Sequence, residues 1–179
     1  MGRTLILTGT PGIGKTTIIK AVIKELGDRA GGFYSEEILG PGGRKGFKLV
    51  TLDGQWGVMA HADFKSKSNF GRFGVETHII DRLGAGAINA ALADKPIVVI
   101  DAIDKITMFS SQFQSATVKA VGSSRIVLAT AMSDNHPWLR ALKAFPGVTV
   151  WEITKKNRTA LVKQVLEWIN DPRINTNPR

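Results

Sequence analysis

Cysteine is absent from the 179-residue chain. Its absence removes disulfide frameworks, thiolate nucleophiles and cysteine-ligated zinc, and makes a reducing compartment the expectation. Long apolar runs are missing as well. The longest aliphatic stretch, Ile97 to Ile100, falls far short of the ~20 residues that span a bilayer. The opening MGRTLILTGTPG breaks its short apolar run with Gly and Pro, so no signal peptide is expected, and Ile6 departs from the myristoylation pattern. There is no internal repeat and no linker. What remains is 43% hydrophobic and 22% charged, the balance of a soluble globular protein. These features predict a cytoplasmic protein without membrane association, with one domain over 1–170 and a polar tail over 171–179.

Acidic residues are scarce relative to basic ones: 15 Asp and Glu face 24 Lys and Arg, for a formal net charge of +9. Such an excess serves solubility or attracts an anionic partner such as a nucleotide or nucleic acid. It gathers between Pro41 and Phe73, where Arg44, Lys45, Lys48, Lys65, Lys67 and Arg72 face only Asp53 and Asp63.

Arg3 to Thr8 reads as a strand, a Gly-rich turn follows, and from Thr16 to Leu26 apolar residues recur at helical spacing. Strands are expected at Gly31 to Ile38, Phe47 to Leu52 and Trp56 to Ala60, the last two joined by Asp53-Gly54, a hairpin signal. His61 to Gly74 is expected to be a loop, and Val75 to Ala93 a helix weakened by Gly84 and Gly86. Strand and helix then alternate: Ile97 to Ile100, Ser110 to Val121, Arg125 to Ala131, Pro137 to Phe145, Val148 to Ile153 and Arg158 to Asn170. The fold class is therefore α/β: a three-layer sandwich, its mostly parallel sheet covered by helices on both faces, with a β-hairpin insertion.

Gly9 to Thr16 reads GTPGIGKT and fits G-x-x-x-x-G-K-[ST] at every fixed position, between a strand and a helix. In such a loop Gly9, Thr10, Pro11, Gly12, Ile13 and Gly14 turn backbone N–H groups inward around a phosphate, and the helix N-terminus adds partial positive charge. Lys15 is expected to reach the β and γ phosphates and Thr16 to ligate Mg²⁺. Thr17 closes the first helical turn. A second metal anchor belongs at the end of a neighbouring buried strand, and Asp101, directly after Ile97 to Ile100, is that candidate. Its alternative role is to cap the following turn.

Many hydrolases with this loop place a Glu beside the strand-end acid to deprotonate water. Here the position is Ala102, which cannot take a proton. Asp104, Glu36, Glu37 and Asp81 are the acids available. Asp104 is nearest in sequence, and Glu37 lies near a strand end, where sites in open sheets form.

With those residues in hand, the chain resembles the small P-loop nucleoside-triphosphatases often called cancer-related nucleoside-triphosphatases. The resemblance rests on GTPGIGKTT at Gly9 to Thr17, GFYSEEI at Gly32 to Ile38, GRKGF at Gly43 to Phe47, GRFGV at Gly71 to Val75, IDAIDKITMFSSQF at Ile100 to Phe113 and TKKNRTAL at Thr154 to Leu161. It implies a P-loop NTPase sandwich and a slow, Mg²⁺-dependent hydrolysis of several nucleoside triphosphates, ATP and GTP among them, to diphosphate and phosphate. It also implies roles for Arg44 and Arg158 as guanidinium groups aimed at the γ-phosphate, and a similar standing for Lys105. Asn157 is expected either to share that site or only to cap the last helix. Ala102, Asp104 and Thr107 depart from the family's Glu, Gly and Glu, which weakens the expectation of catalysis more than that of binding.

Two other readings stay open. One is a kinase of nucleotides or of polynucleotide ends. The other is a nucleotide-dependent, nucleic-acid-binding switch with decayed hydrolysis, suggested by the basic segment interleaved with Phe47, Trp56, Phe64, Phe70 and Phe73. Nucleic acid is not the favoured partner, because those aromatics alternate with apolar residues and are expected in the core.

Overall fold

Alternate residues of the central strands enter two different cores, which is why those strands read as continuously apolar. β1 (Arg3–Gly9) sends Ile6 to one face of the sheet and Leu5 and Leu7 to the other. In β7 (Ile97–Ile103) Val98 and Ile100 join the first core while Ile97 and Val99 join the second. In β8 (Ile126–Met132) Val127 and Ala129 are divided from Leu128 in the same way. The computed structural model describes residues 2–173; of the polar tail expected over 171–179, residues 174–179 lie outside the described residues.

The remaining strands are β2 (Ala30–Gly40), β3 (Gly43–Thr51), β4 (Trp56–His61), β5 (Ser68–Phe70), β6 (Phe73–Val75) and β9 (Val148–Glu152). Together they form a nine-stranded sheet in the order β5-β6-β4-β3-β2-β7-β8-β1-β9. From β2 to β9 in that order every pairing is parallel. From β2 outward through β3, β4, β6 and β5 every pairing is antiparallel. Helices α1 (Lys15–Leu26) and α6 (Arg158–Asn170) cover one face through Ile18, Ile19, Val22, Leu161 and Val165. On the other face lie α3 (Gly86–Asp94), α4 (Ser111–Val121) and α5 (Pro137–Lys143), through Ile88, Phe113 and Leu139. The sandwich with a hairpin insertion is the architecture expected from the alternation of elements.

Three local expectations need correction. The segment from His61 to Gly74 is not a loop: it holds β5 and β6, which join the sheet through β4. Each of these strands is only three residues long, too short to show a period, and Phe73 pins the hairpin by packing edge-on against Phe47 at 5.4 Å. Val75 lies in β6, so the next helix starts later, as α2 (Thr77–Ile79), and runs into α3 through a π-helical turn, Ile80–Ala85. β7 does not stop at Asp101. It continues to Ile103, and its register against β8 slips between Ile100 and Ile103.

Candidate phosphate-binding site

The loop between β1 and α1 is shaped by glycines with different duties. Gly12 and Gly14 have φ of 79° and 113°, left-handed conformations that a side chain resists. Gly9 is different: an added Cβ would sit 2.8 Å from Ile13 Cγ2, so the loop closes on itself there. α1 begins at Gly14 with no side-chain cap and no acid in its first turn. Its first N–H groups are thus left to an external anion, favoured by the helix dipole. Ile13 is buried in the α1 core, whereas Thr10, Pro11 and Thr17 are exposed.

Lys15 Nζ donates to the carbonyls of Gly9 at 2.8 Å and Thr10 at 3.1 Å, so the ammonium rests on the loop itself. Burial lowers its pKa, while the carboxylates of Asp101 and Asp104 oppose that shift. Three of the expected residues therefore share one electrostatic neighbourhood.

Asp101 is 1% exposed. Thr16 Oγ1 donates to its Oδ2 at 2.8 Å, Thr130 Oγ1 donates to its Oδ1, and Ser35 Oγ donates to its backbone carbonyl at 2.8 Å. Burial raises the carboxyl pKa against these hydroxyl bonds and the charge of Lys15. β8 stands between β1 and β7 in the sheet, which puts Thr130 in position to bridge them. Thr130 and Ser35 were not foreseen, yet one signal was present: a hydroxyl inside the apolar run of β8 has to find a partner when buried. The oxygen donors of Thr16 and Asp101 suit Mg²⁺, a hard cation held by one or two protein groups together with substrate phosphates. Among the described residues no group of three or more His, Cys, Asp or Glu offers a competing metal cage.

The turn-capping role considered for Asp101 belongs to Asp104. Its Oδ1 accepts the N–H groups of Ile106 at 2.9 Å and Thr107 at 3.0 Å, an Asx turn. The Thr107 hydroxyl ties the same turn to the Ala102 carbonyl at 2.8 Å. Burial, reinforced by the like charge of Asp101, raises the Asp104 pKa against those N–H bonds.

The other candidates are spread around this centre. Arg158 opens α6, and its Nη1 lies 3.4 Å from the Ile13 carbonyl, which brings it to the loop. Asn157 does not cap α6 with its side chain; its Oδ1 accepts from Thr154 N at 2.8 Å and its Nδ2 donates to Glu152 O, fixing the approach of Arg158. Lys105 pairs with Asp134 at 3.1 Å, joining the segments that follow β7 and β8. Arg44 and Glu37 pair with each other at 2.7 Å on the β2–β3 hairpin, both about half exposed. Glu36 is taken by Lys20 and Lys48, and Asp81 accepts from Ser110, the N-cap of α4. A cavity of about 780 Å³ lies elsewhere, where the α1 C-terminus and α3 flank Gly31 and Leu52.

A family model described as NTPase matches residues 4–166. The nucleoside-triphosphatase THEP1 of Thermotoga petrophila is 38% identical over 162 residues, spanning 90% of each chain. The crystal structure of THEP1 from Aquifex aeolicus superposes with a TM-score of 0.84 at 29% identity, covering 93% of this chain and 99% of that one. The solution structure of a human cancer-related nucleoside triphosphatase matches with a TM-score of 0.73 at 29% identity, over 94% and 98%.

Proposed function

The chain belongs to this NTPase family, and from that premise we propose that it is a nucleoside-triphosphate hydrolase, releasing diphosphate and phosphate with Mg²⁺ and with little preference among bases. The observation that carries the reading is the 2.8 Å contact between Thr16 and the buried Asp101, placed beside a loop whose free N–H groups and lysine suit a triphosphate. Mg²⁺ bound by Thr16 and Asp101 would neutralise phosphate charge.

The rest is done by the chain. Loop N–H groups hold the β-phosphate, and Lys15 exchanges the Gly9 and Thr10 carbonyls for phosphate oxygens. Arg158 turns from the Ile13 carbonyl, 3.4 Å away, to spread the charge developing on the γ-phosphate. Asp104 takes the proton of the attacking water through Oδ2, which among the described residues receives no hydrogen bond. Water oxygen bonds to the γ-phosphorus as the bond to the bridging oxygen breaks, and the diphosphate leaves with that electron pair. The proton on Asp104 then returns to solvent.

Phosphate release from ATP, GTP, CTP and UTP, with and without Mg²⁺, tests the reading. Comparable rates on all four, lost in Lys15→Ala and on chelation, are expected. Release that requires an added acceptor would mark a kinase instead, and undiminished turnover in Lys15→Ala would overturn the site.

A further inference from the structure

Where the sheet passes beyond α1, no helix among the described residues lies over one of its faces. The residues of β3 and β4 alternate: Leu49 and Met59 enter the core beneath the π-helical turn and α3, and a Cβ on Gly57 would touch Leu83 and Ile79 on that side. The intervening residues look the other way. Val50 and Trp56 are register partners there, as are Lys48 and Val58, and Gly46 and His61. α1 reaches this face only at its margin, where Lys20 meets Glu36.

Two aromatic positions occupy this open face. Trp56 is 64% exposed, contrary to its expected place in the core, and Lys48 Nζ lies 5.7 Å from its ring centroid. Five residues along β4, roughly 16 Å at the usual strand rise, the His61 ring lies against Phe64 with centroids 5.5 Å apart. Lys65 and Lys67 follow at once, both exposed. Against these cations stand two acids: Glu36, shared by Lys20 at 2.8 Å and Lys48 at 3.2 Å, and Asp63 beside His61. Lys48 thus shares Glu36, while Lys65 and Lys67 have no acidic partner among the described residues; aromatic rings beside such ammonium groups suit a flexible polyanion with stackable bases. A duplex keeps its bases buried in its own stack, and an acidic protein has no use for an exposed indole flanked by lysine.

We propose that this helix-free face of β3 and β4 binds single-stranded nucleic acid, stacking bases on Trp56 and on the His61–Phe64 pair and meeting phosphates with Lys48, Lys65 and Lys67. The surface lies on the α1 side of the sheet, so a bound strand would run beside the helix that carries Lys15 and Thr16. Binding on this face would not require the chain to hydrolyse nucleotides.

The test is fluorescence anisotropy of labelled oligo(dT) and oligo(U), each about twelve nucleotides, titrated with the full chain in the absence of nucleoside triphosphate. Trp56→Ala should weaken binding roughly tenfold or more, with Trp56→Phe retaining most of it. The double change Lys65→Ala with Lys67→Ala should reduce the slope of log affinity against log salt by about 1.4, at about 0.7 per phosphate contact. A duplex of the same length should bind far more weakly than either oligomer. Because Trp56 is exposed, its variants should melt and turn over triphosphate like the parent, which separates lost binding from lost folding. Equal affinity for duplex and single strand, an effect of Trp56→Ala below twofold, or no binding at low salt would each overturn the proposal.

Discussion

Thr16 and Asp101 are separated by 85 positions in sequence and joined by a 2.8 Å hydrogen bond. The bond links the first turn of α1 to the end of the apolar run in β7, and Thr130 closes the carboxylate from the other side. A carboxylate this deeply buried favours its neutral form, so ionising it to hold the proposed Mg²⁺ would cost the fold rather than stabilise it. Asp101→Asn should therefore cut Mg²⁺-dependent phosphate release by more than about 100-fold, beyond the loss that removing an indirect metal contact produces. The same variant should melt at or above the parent temperature, because a neutral amide costs less to desolvate, its oxygen accepting from one threonine hydroxyl while its N–H donates to the other, which turns to accept. A variant that melts well below the parent would make Asp101 a structural residue.

As the proposed base, Asp104 should contribute to the pH dependence. Burial raises its pKa, and a base works only when ionised, so hydrolysis should fall as pH drops through a value above the usual aspartate figure of about 3.9. Asp104→Asn keeps an oxygen for the Ile106 and Thr107 N–H groups but cannot take a proton. It should lower kcat by roughly 100- to 10,000-fold and leave nucleotide affinity unchanged, and the acid limb that remains should be that of Asp101, whose pKa burial also raises. The same shift has a stability consequence of defined sign. The folded chain binds this proton more tightly than the unfolded one, so the contribution is present at low pH and is lost as pH rises from the ordinary aspartate range through the raised value. Melting temperatures of Asp104→Asn should lack that component.

Much of the site was legible because its chemistry is local. Gly9 to Thr16 are contiguous, running from the end of β1 through the loop into the first turn of α1, and each fixed residue answers to backbone conformation or to the proposed phosphate contact. Asp101 was legible because an acid after four aliphatic residues is an anomaly that burial must explain. Thr130 and Ser35 reach Asp101 only through strand order, and nothing in single-strand periodicity encodes order. The parallel half of the sheet could be read from apolar runs, whereas β5 and β6 depend on Phe73 finding Phe47 and are too short to announce themselves. Trp56 misled for a related reason: strand alternation says that it faces away from Gly57, but not that no helix covers that side.

Ala102 is the clearest gap in the hydrolytic machinery. It is partly exposed, and its carbonyl accepts from Thr107 Oγ1 at 2.8 Å, which holds the backbone while leaving the methyl group without a task. Ala102→Glu should raise phosphate release roughly tenfold or more by adding a second proton acceptor, and the gain should disappear when combined with Lys15→Ala. Release that stays level or falls would mean that proton transfer to Asp104 does not limit turnover and that the new carboxylate only repels the phosphates.

Arg158 and Arg44 resemble each other in sequence context as cations near the expected γ-phosphate, but the structure sets them apart. Arg158 has one contact with the loop, 3.4 Å to the Ile13 carbonyl, long enough to be given up readily. Arg44 is held by Glu37 at 2.7 Å, lies over the Phe47 ring at 5.1 Å and stands on an exposed hairpin. A guanidinium that meets transition-state charge is worth on the order of 1,000-fold or more, whereas an exposed pair contributes at most about 1 kcal/mol to stability. Arg158→Ala should thus reduce kcat by at least about 100-fold with little change in melting temperature, and Arg44→Ala should change it less than about threefold. Single-turnover phosphate release on both variants decides the matter. If Arg44→Ala proves the damaging change, the β2–β3 hairpin must close over bound nucleotide, and the Glu37–Arg44 pair is then the contact that opens first.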